Sequence, residues 1–143
     1  MTELIALYQQ AEQLHIEVDC YALSKREALS MIDKDGACYI ALDPDKLADS
    51  CDERTKLTHE IGHCVTGSFY NQWAACDIRQ KHENCADKWA IERLITEEEL
   101  DEAVAQGNTD LWQLAEHFGV TEAFMRKAVC WYTHGNLAAE LYF

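Results

Sequence analysis

The chain has 143 residues, 48% of them apolar, and sets 26 Asp and Glu against 12 Lys and Arg for a net charge of −14. Length and apolar content exclude a disordered tail and predict one compact domain burying roughly two-thirds of the surface its unfolded chain exposes. The charge excludes a phosphate-tracking surface, because nucleic-acid affinity rests on neutralising phosphates with Lys and Arg, and it favours a basic partner.

Apolar runs such as Cys38 to Leu42 fall far short of the ~20 residues that cross a bilayer. The opening Met1-Thr2-Glu3-Leu4 has neither a basic region nor a long apolar one, so a cytoplasmic protein with no membrane attachment is expected. Seven cysteines with no Cys-x-x-Cys pair predict separate, reduced thiols.

In chain order, Leu4, Leu7, Tyr8, Ala11 and Leu14 recur at helical spacing and predict a helix over residues 3–14. Residues 16–23 look strand-like. Residues 24–36 are broken by charges and end in the turn Lys34-Asp35-Gly36, which leads into the best strand, Cys38 to Leu42. A small sheet of about three strands is expected within the first 42 residues. Ser50-Cys51-Asp52-Glu53 matches a capping box and predicts a helix over residues 51–65, closed by Gly67. A second helix is predicted over residues 80–95, and Thr96-Glu97-Glu98-Glu99 caps a third that ends at Gly107. Helices over residues 109–118 and from Glu122 to about Tyr132 complete an α+β, mainly helical domain, its sheet packed on the Cys51 helix. The expected organisation is a core unit over residues 1–95 and a helical subdomain over 96–143 in the same compact body.

The capped helix carries His59-Glu60-Ile61-Gly62-His63, the HExxH pattern of zinc metallopeptidases, in which imidazoles one turn apart can reach one ion. At about 100° per residue, His59, Glu60 and His63 share one face while Leu57, Ile61 and Cys64 lie opposite. A catalytic zinc site usually takes three protein ligands and leaves one position open. Glu83 is the expected third, because it shares the packing face of the second helix with Ala86, Asp87 and Ala90, where an unpaired carboxylate is costly. Asp87, one turn on, is placed to receive the outer ring N–H of a ligating histidine. His82 and Glu92 point about 100° or more away and rank below Glu83, and Cys64 or Cys85 would suit a closed structural site instead.

These segments, Leu57-Thr58-His59-Glu60-Ile61-Gly62-His63 and Glu83-Asn84-Cys85-Ala86-Asp87-Lys88-Trp89-Ala90 followed by Leu94 and Ile95, resemble the ImmA/IrrE metallopeptidases. The spacing of the acidic pair is also similar to that of the gluzincins. The chain departs from the common pattern at Thr96, where a proline often follows. The resemblance implies a zinc endopeptidase in which Glu60 is the general base and the substrate is a cognate helix-turn-helix repressor of a mobile element or prophage. An oxyanion donor would come from Tyr70, Tyr132 or His134, among which the sequence does not choose. The strand from Cys38 to Leu42 is expected to offer its edge to an extended substrate, as in related peptidases. Two other functions compete: an antirepressor that binds the repressor without cutting it, and a DNA-binding regulator built on the helix-turn-helix cadence of Leu111 to Trp131. Against the latter, residues 96–143 hold only Arg126 and Lys127 against nine acids.

Overall fold

Apolar residues on one face of the first turns make α1 (Leu4–Gln13), whose Leu7 and Ala11 are buried. A computed structural model describes residues 2–143; Met1, the first residue of the expected core unit, lies outside them. Three strands follow, β1 (Glu17–Cys20), β2 (Ala28–Ile32) and β3 (Cys38–Leu42). The expected sheet of about three strands is present; the sequence does not locate its third strand, β2, because that strand is half-exposed and lacks an alternating apolar face, its outer end Met31-Ile32 facing solvent.

The sheet order is β1-β3-β2, with β1 parallel to β3 and β2 antiparallel to it, pairing Ala28 with Leu42 and Ile32 with Cys38. This corrects the expected role of β3. It is the central strand, paired on both sides, and has no edge to offer; the edge packed beside the metal-motif helix belongs to β2.

The helix predicted from Cys51 runs as α2 (Ser50–Thr66). Its cap is Asp49 rather than Ser50, the Asp49 carboxylate accepting the Asp52 N–H at 2.9 Å. Gly67 closes it in the left-handed conformation at φ 66°. Leu57 and Ile61 enter the core. Cys64 does not remain a separate thiol: it is disulfide-bonded to Cys38, tying α2 to β3, while five cysteines stay free.

The second predicted helix starts earlier than expected, as α3 (Cys76–Leu94). α4 (Glu97–Ala105) carries the predicted capping box, with Thr96 Oγ1 accepting the Glu99 N–H at 3.1 Å. α5 (Leu111–Phe118) and α6 (Glu122–His134) form the last pair. One apolar cluster includes Leu7, Ile40, Leu57, Ile91, Leu114 and Met125, so sheet, metal-motif helix and C-terminal helices share a single core in an α+β domain. The turn between α5 and α6 docks on α2. Arg54 donates to the Gly119 carbonyl at the C-terminal end of α5, where the helix dipole favours a cation, and the Thr121 N–H donates to Thr55 Oγ1 at 3.3 Å. No helix among the described residues is long and apolar enough to cross a membrane.

The position of α3 on α2 is set at Gly62. A Cβ there would lie 2.8 Å from the Ala86 carbonyl oxygen, 3.2 Å from Ala86 Cα and 3.3 Å from the Trp89 ring. Two effects compete in Gly62→Ala: a gain of about 1 kcal/mol in helix propensity and a loss of ~1–3 kcal/mol from forcing two backbones apart. The contact is with backbone, so the second wins. Gly62→Ala is expected to lower the urea midpoint; a raised midpoint would mean that the helices separate freely.

Candidate metal centre

α2 and α3 bring four of the expected residues together. His59 and His63 stand one turn apart on α2, and Glu83 reaches across from α3 with its carboxylate against both rings. His59 Nε2 lies 2.7 Å from Glu83 Oε2, His63 Nε2 lies 3.3 Å from Glu83 Oε1, and the two Nε2 atoms are 3.2 Å apart. The outer nitrogens are also engaged: His59 Nδ1 with Asp87 Oδ1 at 2.8 Å, and His63 Nδ1 with the Ser68 carbonyl at 2.5 Å.

The chemistry of these partners decides what belongs in the middle. A carboxylate and a carbonyl only accept, so both Nδ1 atoms must carry the proton. In neutral imidazoles both Nε2 atoms then present lone pairs, and they face each other and two carboxylate oxygens. Such a cluster of acceptors needs a cation between them, either a proton or a metal ion. Without a metal, His59 supplies the proton. Burial opposes its charge, but the hydrogen bonds to Asp87 and Glu83 prevail and push its pKa up to about 10. Burial likewise raises the Glu83 pKa, and the hydrogen bonds from His59 and Tyr70 overcome it, so that Glu83 stays ionised far below the usual carboxylate range. Two imidazoles and one carboxylate are a donor set suited to a divalent ion such as zinc.

Glu60 sits on the same face. A carboxylate oxygen of Glu60 and one nitrogen of each histidine lie within 4.8 Å of one another, a group able to hold a metal ion. Its position differs from that of Glu83, however. Glu60 is 6% exposed, and its Oε2 has no hydrogen-bond partner among the described residues. Burial raises its pKa, the neighbouring imidazoles working the other way.

Around this centre opens a cleft of about 850 Å³. Its floor is α2 and α3, one wall is residues 24–28 leading into β2, and the opposite wall is α6 through Ala123, Phe124 and Lys127. Tyr70 also lines it, donating its hydroxyl to Glu83 Oε1 at 2.7 Å. The other two expected oxyanion donors are elsewhere: Tyr132 donates to the Ile95 carbonyl at 2.6 Å, and His134 stacks on Tyr142 with centroids 3.7 Å apart. Of the competing ligands, His82 stacks against Tyr70, Glu92 is exposed, Cys64 is disulfide-bonded and Cys85 is a free thiol.

Sequence reasoning misses two supports. The Ser68 carbonyl orients His63 from the turn after α2, a backbone group that no side-chain pattern reveals. Lys127 of α6 donates to Asp87 Oδ2 at 2.9 Å, 40 residues away in the chain; its only sequence signal is that it and Arg126 are the two cations of an otherwise acidic segment, residues 96–143.

A model of the peptidase M78 family, described as an IrrE N-terminal-like domain, matches residues 39–129, more than half of the chain. The chain belongs to that family. The matched segment of this IrrE-like domain spans β3, both metal-motif helices and most of α6. No curated protein matches it.

Two predictions follow from the acceptor cluster. Metal entry must displace the His59 proton, whose pKa of about 10 keeps it bound at neutral pH. Raising the pH removes that competitor, so apparent Zn²⁺ affinity should climb about tenfold per pH unit between roughly pH 6 and 8, with release of one proton in calorimetry. A flat profile would mean that His59 is neutral in the free protein. Asp87→Ala removes the acceptor for His59 Nδ1 and should weaken metal binding about 10- to 100-fold, as read by competition with a chromogenic chelator.

Proposed function

We propose that this IrrE-like domain is a zinc endopeptidase that inactivates a cognate basic helix-turn-helix repressor of a mobile element or prophage by limited proteolysis. His59, His63 and Glu83 are its metal ligands, and Glu60 is its general base. The observation that carries this reading is the buried, unpartnered Glu60 Oε2 beside an acceptor cluster fit for a metal ion, opening on a cleft large enough for a peptide.

Zinc in this site would act as a Lewis acid and lower the pKa of water towards about 7. The chain supplies the rest. Glu60, held in a dry position with one oxygen free, takes the proton of the attacking water and delivers it to the leaving amine nitrogen. Asp87 fixes the His59 tautomer, and Lys127 balances the Asp87 charge from the other side. Tyr70 is the oxyanion donor best supported by position, its hydroxyl turning from Glu83 Oε1 to the developing charge. An extended substrate would add to the β2 edge, which runs into the cleft at Ala28.

The placement of α6 weighs against a DNA-binding function. In a helix-turn-helix the second helix presents its N-terminal residues to base edges. Here Ala123 and Phe124 line the cleft, Lys127 is engaged with Asp87, and Arg126, the remaining cation of α6, lies 3.4 Å from Glu122.

The test is co-expression with the repressor encoded beside this gene. Wild type should yield a discrete repressor fragment, and Glu60→Gln should lose ~10²–10⁴-fold in cleavage rate while retaining metal and repressor binding. Equal repressor inactivation by both, with no fragment, would establish the non-cleaving antirepressor instead.

A further inference from the structure

The net charge of −14 is not spread evenly. Lys25, Arg26, Lys46, Lys56 and Lys127 all line the cleft, five of the chain's 12 cations. Only four carboxylates line it with them, Glu27, Glu60, Glu83 and Asp87, which leaves seven cations against 22 carboxylates for the rest of the chain. The cleft is thus cationic relative to a strongly acidic exterior, before any metal ion adds its charge.

Three of the five cations are engaged internally. Lys56 bridges Glu27 and Asp52, each at 2.8 Å, Lys127 holds Asp87, and Lys46 bonds the Leu23 carbonyl beside Asp43. Lys25 and Arg26 form no salt bridge among the described residues, and both are exposed at the cleft wall.

The segment that carries them is nevertheless fixed. The buried Asp43 carboxylate accepts the Leu23 N–H at 2.9 Å, and the Asp43 N–H donates to the Glu27 carbonyl at 2.9 Å, so residues 24–27 are pinned at both ends to the end of β3. The Lys56 contact with Glu27 ties the same segment to α2. Arg26 lines the same cleft as Tyr70 and Glu83, and the Tyr70 hydroxyl donates to Glu83 Oε1. Residues 24–27 lie before the segment 39–129 that the family model matches.

We propose that Arg26, seconded by Lys25, is a specificity-determining residue that receives a carboxylate of the substrate peptide as the chain enters the cleft. This rests on the peptidase function proposed above and names the chemistry of its substrate segment. A guanidinium on a pinned loop can take a carboxylate through two parallel N–H···O bonds, with little ordering cost on binding. The carboxylate is either an internal Asp or Glu side chain or a free chain end, and both fit the same fork.

The experiment uses the metal-loaded Glu60→Gln chain and four peptides of one otherwise neutral sequence. Three are blocked at both ends and carry Asp, Asn or Lys at one internal position; the fourth carries Asn and a free C-terminal carboxylate. Binding is read by fluorescence anisotropy, and cleavage of the same peptides by wild type is read in parallel. The Asp peptide, the free-ended peptide or both should bind about tenfold tighter than the blocked Asn peptide, and whichever gains identifies the carboxylate's source. Arg26→Glu should abolish that gain and favour the Lys peptide. Lys25→Glu should reduce it, and serves as the deciding variant if Arg26→Glu loses its metal. In wild-type cleavage the Arg26→Gln effect should fall on KM for acidic peptides.

Equal binding of all four peptides, or a preference that survives both charge reversals, would overturn the assignment. So would an Arg26→Gln loss in kcat of equal size on every peptide, which would make Arg26 an oxyanion donor. Carboxylate-selective binding with no cleavage of any peptide or of the repressor by wild type would instead sink the peptidase function and leave the binding site standing.

Discussion

Gly62 against Ala86 is the contact on which the metal centre depends. The two helix backbones meet where Gly62 cannot carry even a methyl group, because the Ala86 carbonyl lies in the space that its Cβ would occupy. That approach fixes the height of α3 along α2. Glu83 lies three residues before Ala86 and Asp87 immediately after it, so one contact places the inner carboxylate against both Nε2 atoms and the outer one against His59 Nδ1. Side-chain packing alone tolerates shifts of some tenths of an ångström, whereas a backbone against a glycine does not, and metal ligation needs the stricter tolerance.

The cluster so formed cannot be neutralised from within. Its rings are held by acceptors on their far sides and face acceptors on their near sides, so the fold requires a cation between them, the His59 proton or a metal ion. Part of the cost is met by cations at one remove. Lys127 balances Asp87, and α6, which carries it, is seated by the Arg54 and Thr55 contacts to the turn that begins it. The C-terminal helices are therefore a wall of the site and a support for its second carboxylate, not an appendage to a finished enzyme core. The helix-turn-helix cadence of their sequence reflects two short amphipathic helices around Gly119, a pattern that packing produces as readily as DNA recognition does.

Much of this was legible in the sequence, and what was not shares a physical origin. The α2 motif, the Glu83 and Asp87 pair and the Thr96 cap are local patterns with fixed angular or capping consequences. β2 has no location in the sequence because an edge strand beside a cleft needs no alternating apolar face, and the charges of residues 24–36, Lys25, Arg26 and Glu27 among them, break the pattern around it. Only with β2 in place is β3 paired on both sides and without an edge to offer. The Cys38–Cys64 bond joins elements 26 residues apart and leaves no spacing signature. Gly62 carried a clue that went unused: the small residues Ala86 and Ala90 on α3 implied a close approach, and such an approach requires a small residue opposite.

The acidic composition changes meaning once its distribution is known. Charges separated by more than a Debye length of about 8–10 Å are largely screened at physiological salt, so net charge governs approach and local charge governs docking. At long range this molecule presents an acidic exterior, the field that a basic partner of the kind proposed would meet first. Within the cleft, Lys25 and Arg26 line the wall past which the proposed substrate would enter. A basic protein whose exposed segment bears an acidic residue satisfies both fields, whereas a uniformly basic segment would be drawn to the surface and refused at the centre. Under the proposed function such refusal would contribute to specificity, because the repulsive element would act only after encounter, on the segment that must enter the cleft.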